Sequence, residues 1–186
     1  MRVAVVFFGG QYNRLILRRL LELGVDAYSS DLDVPADELN ADALVLGGGP
    51  QSVPSDLPRL GRAPEYVTAG IPVLGICLSH QLIAHVLGGR VGPSRFPEFG
   101  EVLVEVTSDS ALFDGMPRRF WAWESHNDEV LEPPREAVVT ASSESCRVQA
   151  LEVPGRLIFG VQFHPEVTHT EHGTRILENF VRAARR

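Results

Sequence analysis

Apolar residues in the first half of the chain form short continuous runs that alternate with stretches of helical spacing. Residues 3–8 are one such run, which is typical of a strand covered on both faces, since a half-buried strand alternates apolar and polar positions. A helix is predicted where Ile16, Leu20 and Leu23 share one face and Gly24 follows them. The predicted strands of this half are residues 3–8, 26–29, 43–46 and 71–74, and the predicted helices are residues 12–23, 63–69 and 82–87. Strands that alternate with helices predict a mainly parallel sheet with right-handed crossovers.

The second half of the chain has a different pattern. Residues 101–106 alternate polar and apolar side chains, with Val102, Val104 and Val106 on one face. Further short strands, separated by Pro, Gly and Ser, are predicted at residues 138–141, 148–153 and 157–163, and a closing helix at 174–185. These strands predict an antiparallel extension of the sheet. Because no linker or repeat interrupts the chain, we expect one domain over residues 1–186.

The segment from Gly75 to Gln81 joins a predicted buried strand to a predicted helix through a sharp turn. The pattern Gly-x-Cys-x-Ser is a cysteine variant of the nucleophile elbow Gly-x-Ser-x-Gly. Such a turn places Cys77 at a helix N-terminus, where the helix dipole favours the thiolate, the nucleophilic form of cysteine. A lone cysteine is more often a small buried hydrophobic residue, but the elbow favours a nucleophile here.

A base and an orienting acid for that cysteine follow the predicted strand 157–163. In an extended chain, residues two apart project to the same side, and Pro165 prevents a helical continuation between His164 and Glu166. The carboxylate of Glu166 can therefore bind one imidazole nitrogen of His164 while the other faces Cys77, as in a catalytic triad. The alternative is a metal site made of His164, His169 and His172. It is disfavoured because Cys77 offers no second ligand cluster at zinc spacing.

Three glycines, Gly47 to Gly49, end the predicted strand 43–46 and precede Pro50. Glycines at this position let the backbone approach a ligand and direct N–H groups at it. A plain tight turn is the alternative. A phosphate loop is not indicated, because no Gly-Lys-Ser/Thr follows.

Composition and charge exclude several functions. The 24 acidic residues outnumber 17 basic ones, all of them arginine, which gives a net charge of −7 and argues against a nucleic-acid surface. Two cysteines provide no disulfide framework, and no stretch is long enough to span a membrane. We therefore expect a cytoplasmic protein with no nucleic-acid or membrane partner and no metal.

Taken together, the motifs resemble those of the class I (triad) glutamine amidotransferases, in the family's order along the chain. They are Gly47-Gly48-Gly49-Pro50, Gly75 to Gln81, and Phe163-His164-Pro165-Glu166. The resemblance covers nearly the whole chain and implies a three-layer, flavodoxin-like α/β fold. The ending from Gly160 to Thr170 is similar to that of the GMP synthase branch, as are Glu98-Phe99-Gly100, Ser125-His126-Asn127-Asp128 and the Ser145-Cys146 stretch.

The resemblance implies a role for each matching residue. Cys77 would be the nucleophile, His164 the acid/base and Glu166 its orienter. The remaining implied roles are an oxyanion hole from the backbone N–H groups of Leu78 and of Gly48 or Gly49, and a glutamine-binding set of Gln81 with the backbone of Ser125, His126 and Asn127. Two residues depart from the family pattern, because Ser79 and Asn127 stand where glycine is common.

The implied reaction is hydrolysis of L-glutamine to glutamate and ammonia through a Cys77 thioester. The ammonia would pass to a separate ATP-pyrophosphatase subunit of GMP synthase, which uses ATP and Mg²⁺ to convert XMP, so no cofactor is expected in this chain. Trp123 and Asp128 would belong to the docking surface for that subunit, although an exposed loop of solvated charge is an equal alternative.

Three other functions remain open at this point. The chain is either the proposed glutaminase, an amidotransferase subunit of anthranilate or aminodeoxychorismate synthesis, a catalytically silent regulatory subunit, or a cysteine peptidase-like member of the same fold. The Thr168-His169-Thr170 ending disfavours an amidotransferase of anthranilate or aminodeoxychorismate synthesis. The retained triad disfavours a silent regulatory subunit, and Gln81 disfavours a peptidase-like protein.

Overall fold

The structure is a computed structural model that describes residues 1–185. Its helices are α1 (Asn13–Glu22), α2 (Ala63–Thr68), α3 (Leu78–Val86) and α4 (Gly173–Ala184). Its strands are β1 (Arg2–Val6), β2 (Asp26–Ser30), β3 (Ala43–Leu46), β4 (Val73–Ile76), β5 (Arg90–Val106), β6 (Arg119–Glu132), β7 (Val138–Ser142), β8 (Ala150–Val153) and β9 (Ile158–Val161). Two 3₁₀ helices lie at Leu57–Leu60 and Ala111–Phe113.

All nine strands belong to one sheet, in the order β2-β1-β3-β4-β9-β8-β7-β5-β6. The first five strands in this order pair in parallel, and the pairs from β9 to β6 are antiparallel. The parallel part has the flavodoxin-like arrangement, in which ligands bind beyond the carboxyl ends of the strands. The predicted mixed α/β sheet with an antiparallel extension is therefore confirmed.

Two apolar layers cover the parallel strands. On one face, α1 and α4 bury residues such as Ile16 and Phe180 against alternate positions of the strands. On the other face, α2 and α3 bury residues such as Tyr66 and Leu82 against the remaining positions. Burial on both faces explains why these strands are continuous apolar runs, and it fixes the three-layer architecture.

The prediction for the antiparallel half was incomplete. Residues 119–132, whose segment around Trp123 and Asp128 was predicted as an exposed loop or docking surface, form the long strand β6. Its Glu124 is buried, which contradicts the solvated-charge alternative. Strand β5 also begins at Arg90 rather than at residue 101. In residues 1–185, every helix is too short or too polar to cross a membrane.

Candidate active site

A pocket of about 640 Å³ opens beyond the carboxyl ends of β1, β3, β4 and β9. Its walls include Cys77, Gly48, Gly49, Gln81 and His164, together with the β6 residues 125–128. The parallel register explains this convergence, because Gly75 of β4 lies beside Leu46 of β3 and Gly160 of β9. Side chains that follow these positions come from distant parts of the sequence and meet at one edge of the sheet.

Cys77 occupies the strained turn that a nucleophile elbow requires. Its φ is 54°, a left-handed conformation that a residue other than glycine adopts only at a cost. The turn is fixed because the Cys77 N–H donates to the Val161 carbonyl at 2.8 Å. A side-chain carbon at Gly75 would lie 2.6 Å from both Ile83 Cδ1 and the Ser79 carbonyl oxygen, so glycine is needed for α3 to approach β4. Cys77 is only 7% exposed, and it borders the pocket.

Ser79 fits the elbow without distorting it. The side chain is fully buried, and its hydroxyl donates to the Gly47 carbonyl at 2.6 Å. A buried hydroxyl costs little when it is hydrogen-bonded. Ser79 therefore ties the helix of the elbow to the glycine segment after β3, which is a contact that glycine at this position cannot make.

His164 and Glu166 form the predicted pair. His164 Nδ1 lies 2.8 Å from Glu166 Oε1, and both side chains are buried. Burial by itself lowers the pKa of His164. The charge of Glu166 and the hydrogen bond with Cys77 outweigh burial, so that the pKa is raised well above its usual value. The imidazole therefore holds its proton beside the Cys77 sulfur. The ring of Tyr12, with its centroid 5.0 Å away, packs edge-on against His164.

Backbone N–H groups at the predicted oxyanion hole are free of internal partners. Within residues 1–185, the N–H groups of Leu78, Gly48 and Gly49 donate to no protein acceptor. Leu78 is the first residue of α3, where helical N–H groups lack intrahelical partners. A side-chain carbon at Gly48 would lie 3.3 Å from His164 Cε1 and 3.5 Å from Cys77 Cβ. The glycine keeps this space open beside the two reacting groups.

Asn13, which the sequence analysis did not identify, holds the glycine segment. Its side chain is buried, and its Nδ2 donates to the Gly48 carbonyl at 3.0 Å. A trans peptide directs its carbonyl and its N–H to opposite sides. The hydrogen bond from Asn13 therefore sets the direction of the Gly49 N–H. No short-range pattern marks Asn13, because its partner lies 35 residues away.

Gln81 and residues 125–128 in the middle of β6 form one wall of the pocket. Gln81 Nε2 donates to the Asp128 carbonyl at 2.7 Å and to Gln162 Oε1 at 3.1 Å. The carbonyl of Ser125 lies 3.8 Å from the Cys77 sulfur. The hydroxyl of Ser52 donates to the carboxylate of Asp128. The structure thus brings the predicted glutamine-binding residues to the nucleophile, with Ser52 and Gln162 as further residues that the sequence analysis missed.

Strand β6 is also bound to the segment that carries His164. The His164 N–H donates to the Trp123 carbonyl at 2.9 Å. The hydroxyl of Thr170 accepts from the Trp123 N–H at 2.9 Å and donates to the His164 carbonyl at 2.6 Å. The backbone of Trp123 therefore positions the acid/base residue.

The side chain of Trp123 is half-buried rather than free. Its Nε1 donates to the Tyr12 hydroxyl at 3.2 Å, and its ring packs on His169 with centroids 4.7 Å apart. Asp128, five residues further along β6, lines the active-site pocket. Contact of either residue with a partner protein stays a prediction.

The alternative metal site of His164, His169 and His172 does not assemble. His164 pairs with Glu166, His169 packs on Trp123, and His172 precedes α4. In the described part of the chain, one group has side chains close enough to share an ion, namely Glu98, His126 and Cys146, all buried. Burial and the neighbouring carboxylates raise the pKa of the Cys146 thiol, so it remains protonated.

Comparison with known proteins gives consistent similarities. The family model "Glutamine amidotransferase class-I" matches residues 4–184. A glutamine-hydrolyzing GMP synthase subunit of Sulfolobus acidocaldarius is 47% identical over the full length of both chains. The GMP synthase (glutamine-hydrolyzing) of Aeropyrum pernix is 49% identical over 96% of this chain, which corresponds to 35% of that longer protein. Among solved structures, a protein of Thermoplasma acidophilum described as a GMP synthase subunit superposes with a TM-score of 0.94 at 38% identity, covering 100% of this chain and 94% of the other.

Proposed function

The chain belongs to the class-I glutamine amidotransferase family, and we propose that it is the glutamine-hydrolysing subunit of a two-subunit GMP synthase. The observation that carries this proposal is the Cys77–His164–Glu166 arrangement beside the pocket. Full-length similarity to proteins named as glutamine-hydrolyzing GMP synthase subunits supports the choice of pathway and a separate partner. The Aeropyrum relative supports it further, because this chain matches only about a third of that single longer protein.

The geometry supports acyl transfer to Cys77. The sulfur attacks the side-chain amide carbon of glutamine, and the carbonyl oxygen becomes an oxyanion. The free N–H groups of Leu78 and the glycine segment stabilise that charge, a contribution of about 3 kcal/mol per donor. His164 donates its proton to the amide nitrogen, the carbon–nitrogen bond breaks, and ammonia leaves. Water then loses a proton to His164 and attacks the thioester, which releases glutamate and restores the Cys77 sulfur.

Glutamine is oriented by its amino-acid end. Both protons of the Gln81 amide nitrogen already bind protein oxygens, so the group that Gln81 offers to a ligand is its carbonyl oxygen. Such an acceptor suits an α-ammonium group. Backbone groups of residues 125–127 lie on the same wall, within reach of the substrate's carboxylate and ammonium groups.

Ammonia release requires a receiving protein if nitrogen is not to be wasted. We propose that this partner is the ATP-pyrophosphatase subunit, which would bind ATP, Mg²⁺ and XMP, so that this chain needs no cofactor of its own. Asp128 lines the pocket, and Trp123 lies on the same strand, where its backbone carbonyl holds His164. A partner that contacts them would act on the wall and the acid/base residue together. A cytoplasmic location for this complex remains a prediction.

The test is glutamate release by the chain alone, with the bare synthetase subunit, and with that subunit plus ATP and XMP. We expect the loaded partner to raise the rate about tenfold or more, equivalent to about 1.4 kcal/mol. Asp128→Ala removes the carboxylate that accepts from Ser52 and should reduce this stimulation. Activity that responds only to a chorismate-using partner would assign the chain to another pathway. No glutamate release under any condition would refute the enzymatic function.

A further inference from the structure

The imidazole of His126 is not available to bind a ligand directly, because it is buried and bonded to internal partners. Its side chain is 1% exposed. Nε2 lies 2.7 Å from Glu98 Oε2, and Nδ1 lies 2.9 Å from the Asp128 carbonyl oxygen. Both of these oxygens only accept hydrogen bonds when Glu98 is ionised. Both ring nitrogens of His126 are therefore occupied by internal partners, and neither is left for glutamine.

Glu98 is the anchor of this contact. Its carboxylate also accepts hydrogen bonds from Ser143 at 2.7 Å, from Ser145 at 2.5 Å and from Gln149 Nε2 at 2.7 Å. Burial raises the pKa of Glu98, but the hydrogen bonds from His126, Ser145 and Ser143 outweigh burial and lower it. A buried carboxylate with four donors is held in one position and stays ionised.

The neighbouring Glu124 does not compete for this role. Its Oε2 lies 3.5 Å from the same His126 nitrogen. Burial, the charge of Glu98 and Cys77 together raise the pKa of Glu124 well above its usual value. This shift favours the neutral form of Glu124, whereas the lowered pKa of Glu98 favours the negative charge on Glu98 beside His126.

The backbone ladder is interrupted where this pair lies. Strands β5 and β6 pair at Glu98 with His126 and next at Pro93 with Asp128, so that residues 94–97 of β5 lie opposite a single residue of β6. Ladder hydrogen bonds are missing at such an irregularity. Within the pocket wall, Asn127 therefore has no paired residue on β5, while Ser125, His126 and Asp128 on either side of it are paired.

We propose that His126 and Glu98 are positioning residues that hold the glutamine-binding wall in place of the interrupted ladder. The carbonyl of Asp128 accepts from both His126 Nδ1 and Gln81 Nε2, so the pair connects the wall to Gln81. Removing the contact between Glu98 and His126 should let residues 125–128 move, while the triad keeps its geometry. Affinity for glutamine should fall while the chemical step at Cys77 is largely retained.

The inference rests on the proposed function for its kinetic test, which compares Glu98→Gln, His126→Gln and the double variant in the complex with the synthetase. We expect KM for glutamine to rise about tenfold or more in each single variant, with kcat within about threefold of wild type. The double variant should be little worse than either single variant, because the two residues act as one unit. Asn179→Ala is the matched control, since Asn179 is a buried polar residue of α4 that bonds backbone carbonyls away from the pocket. It should lower the melting temperature and leave KM unchanged.

Unchanged KM in folded variants, or the same kinetic change in Asn179→Ala, would overturn the proposal. If the two single variants fail to fold, Ser145→Ala removes one donor to Glu98 and should raise KM about two- to threefold. A second readout needs no activity. In backbone ¹⁵N correlation spectra, the amide signals of residues 125–128 should shift in Glu98→Gln and stay in place in Asn179→Ala. An inactive wild type whose variants show this difference would refute the proposed function alone.

Discussion

Replacing Asn13 by alanine tests whether a side chain outside the triad prepares the oxyanion hole. The substitution removes the 3.0 Å hydrogen bond to the Gly48 carbonyl at a site where Asn13 is 3% exposed. A buried carbonyl left without its donor costs about 1–3 kcal/mol of folding stability. The more specific effect is on the Gly48–Gly49 peptide, which becomes free to rotate.

The expected loss of rate follows from the geometry. Deleting an oxyanion donor outright costs about 3–4 kcal/mol. Here the donor remains but loses its fixed direction, so we expect about 2 kcal/mol, or a roughly 30-fold lower kcat. KM should change little, because Gln81 and residues 125–128 of β6, which are proposed to hold the amino-acid end of glutamine, are untouched. Asn13→Asp should be at least as damaging, since it replaces the N–H donor with an oxygen that repels the Gly48 carbonyl.

The assay is steady-state glutamate release in the assembled complex, combined with thermal unfolding of each variant. Asn179→Ala is again the control, since it removes a buried asparagine whose Nδ2 also donates to backbone carbonyls. Asn179→Ala should lower the folding stability by a comparable amount and leave kcat unchanged. If Asn13→Ala lowers kcat no more than Asn179→Ala does, the proposed link between Asn13 and the Gly49 N–H is wrong.

Four further predictions concern single residues. Cys77→Ala should lower glutamate release by at least about 10³-fold with an unchanged circular dichroism spectrum, because loss of the sulfur only enlarges the pocket; near wild-type turnover would refute the nucleophile. Glu166→Gln should be milder than His164→Ala in steady-state rate, since Glu166 orients the imidazole and transfers no proton; the reverse order would mean that Glu166 has another role. A glutamine analogue that alkylates thiols should modify Cys77 and not the buried Cys146, and equal labelling by mass spectrometry would contradict this. Gly75→Ala should destabilise the fold by about 3 kcal/mol or more, because the new methyl carbon would meet the Ser79 carbonyl oxygen at 2.6 Å; an unaltered melting temperature would be inconsistent with the packing described.

The sequence predicted the parallel core and the positions of the triad because both depend on local patterns. Strands buried on two faces are continuous apolar runs, and the elbow and the His164-Pro165-Glu166 segment are short motifs at strand ends. Strand β6 was missed for an equally physical reason. Its inward positions include Glu124 and His126, so the alternation of apolar and polar residues that marks a half-buried strand is absent there.

Contacts between distant residues were not predictable from patterns. Asn13 at the start of α1 meets Gly48 after β3, and Glu98 of β5 meets His126 of β6, only because the fold brings these separate elements together. Pro93 and Pro97 also obscured the first half of β5, since proline is unusual within a strand and here lies at the irregular stretch opposite β6. The role of Ser79 likewise depended on seeing which carbonyl its hydroxyl reaches.

Strand β6 has a consequence for the type of control that the molecule permits. Residues 125–128 in the middle of the strand form the substrate wall, and just before them the Trp123 carbonyl holds the His164 backbone. The same short stretch of backbone therefore affects both the affinity for the substrate and the orientation of His164, which transfers the proton. An effector that displaces this strand would change both quantities at once. A regulator that moves the whole strand should therefore change KM and kcat together, whereas a local change confined to residues 125–128 should affect mainly KM.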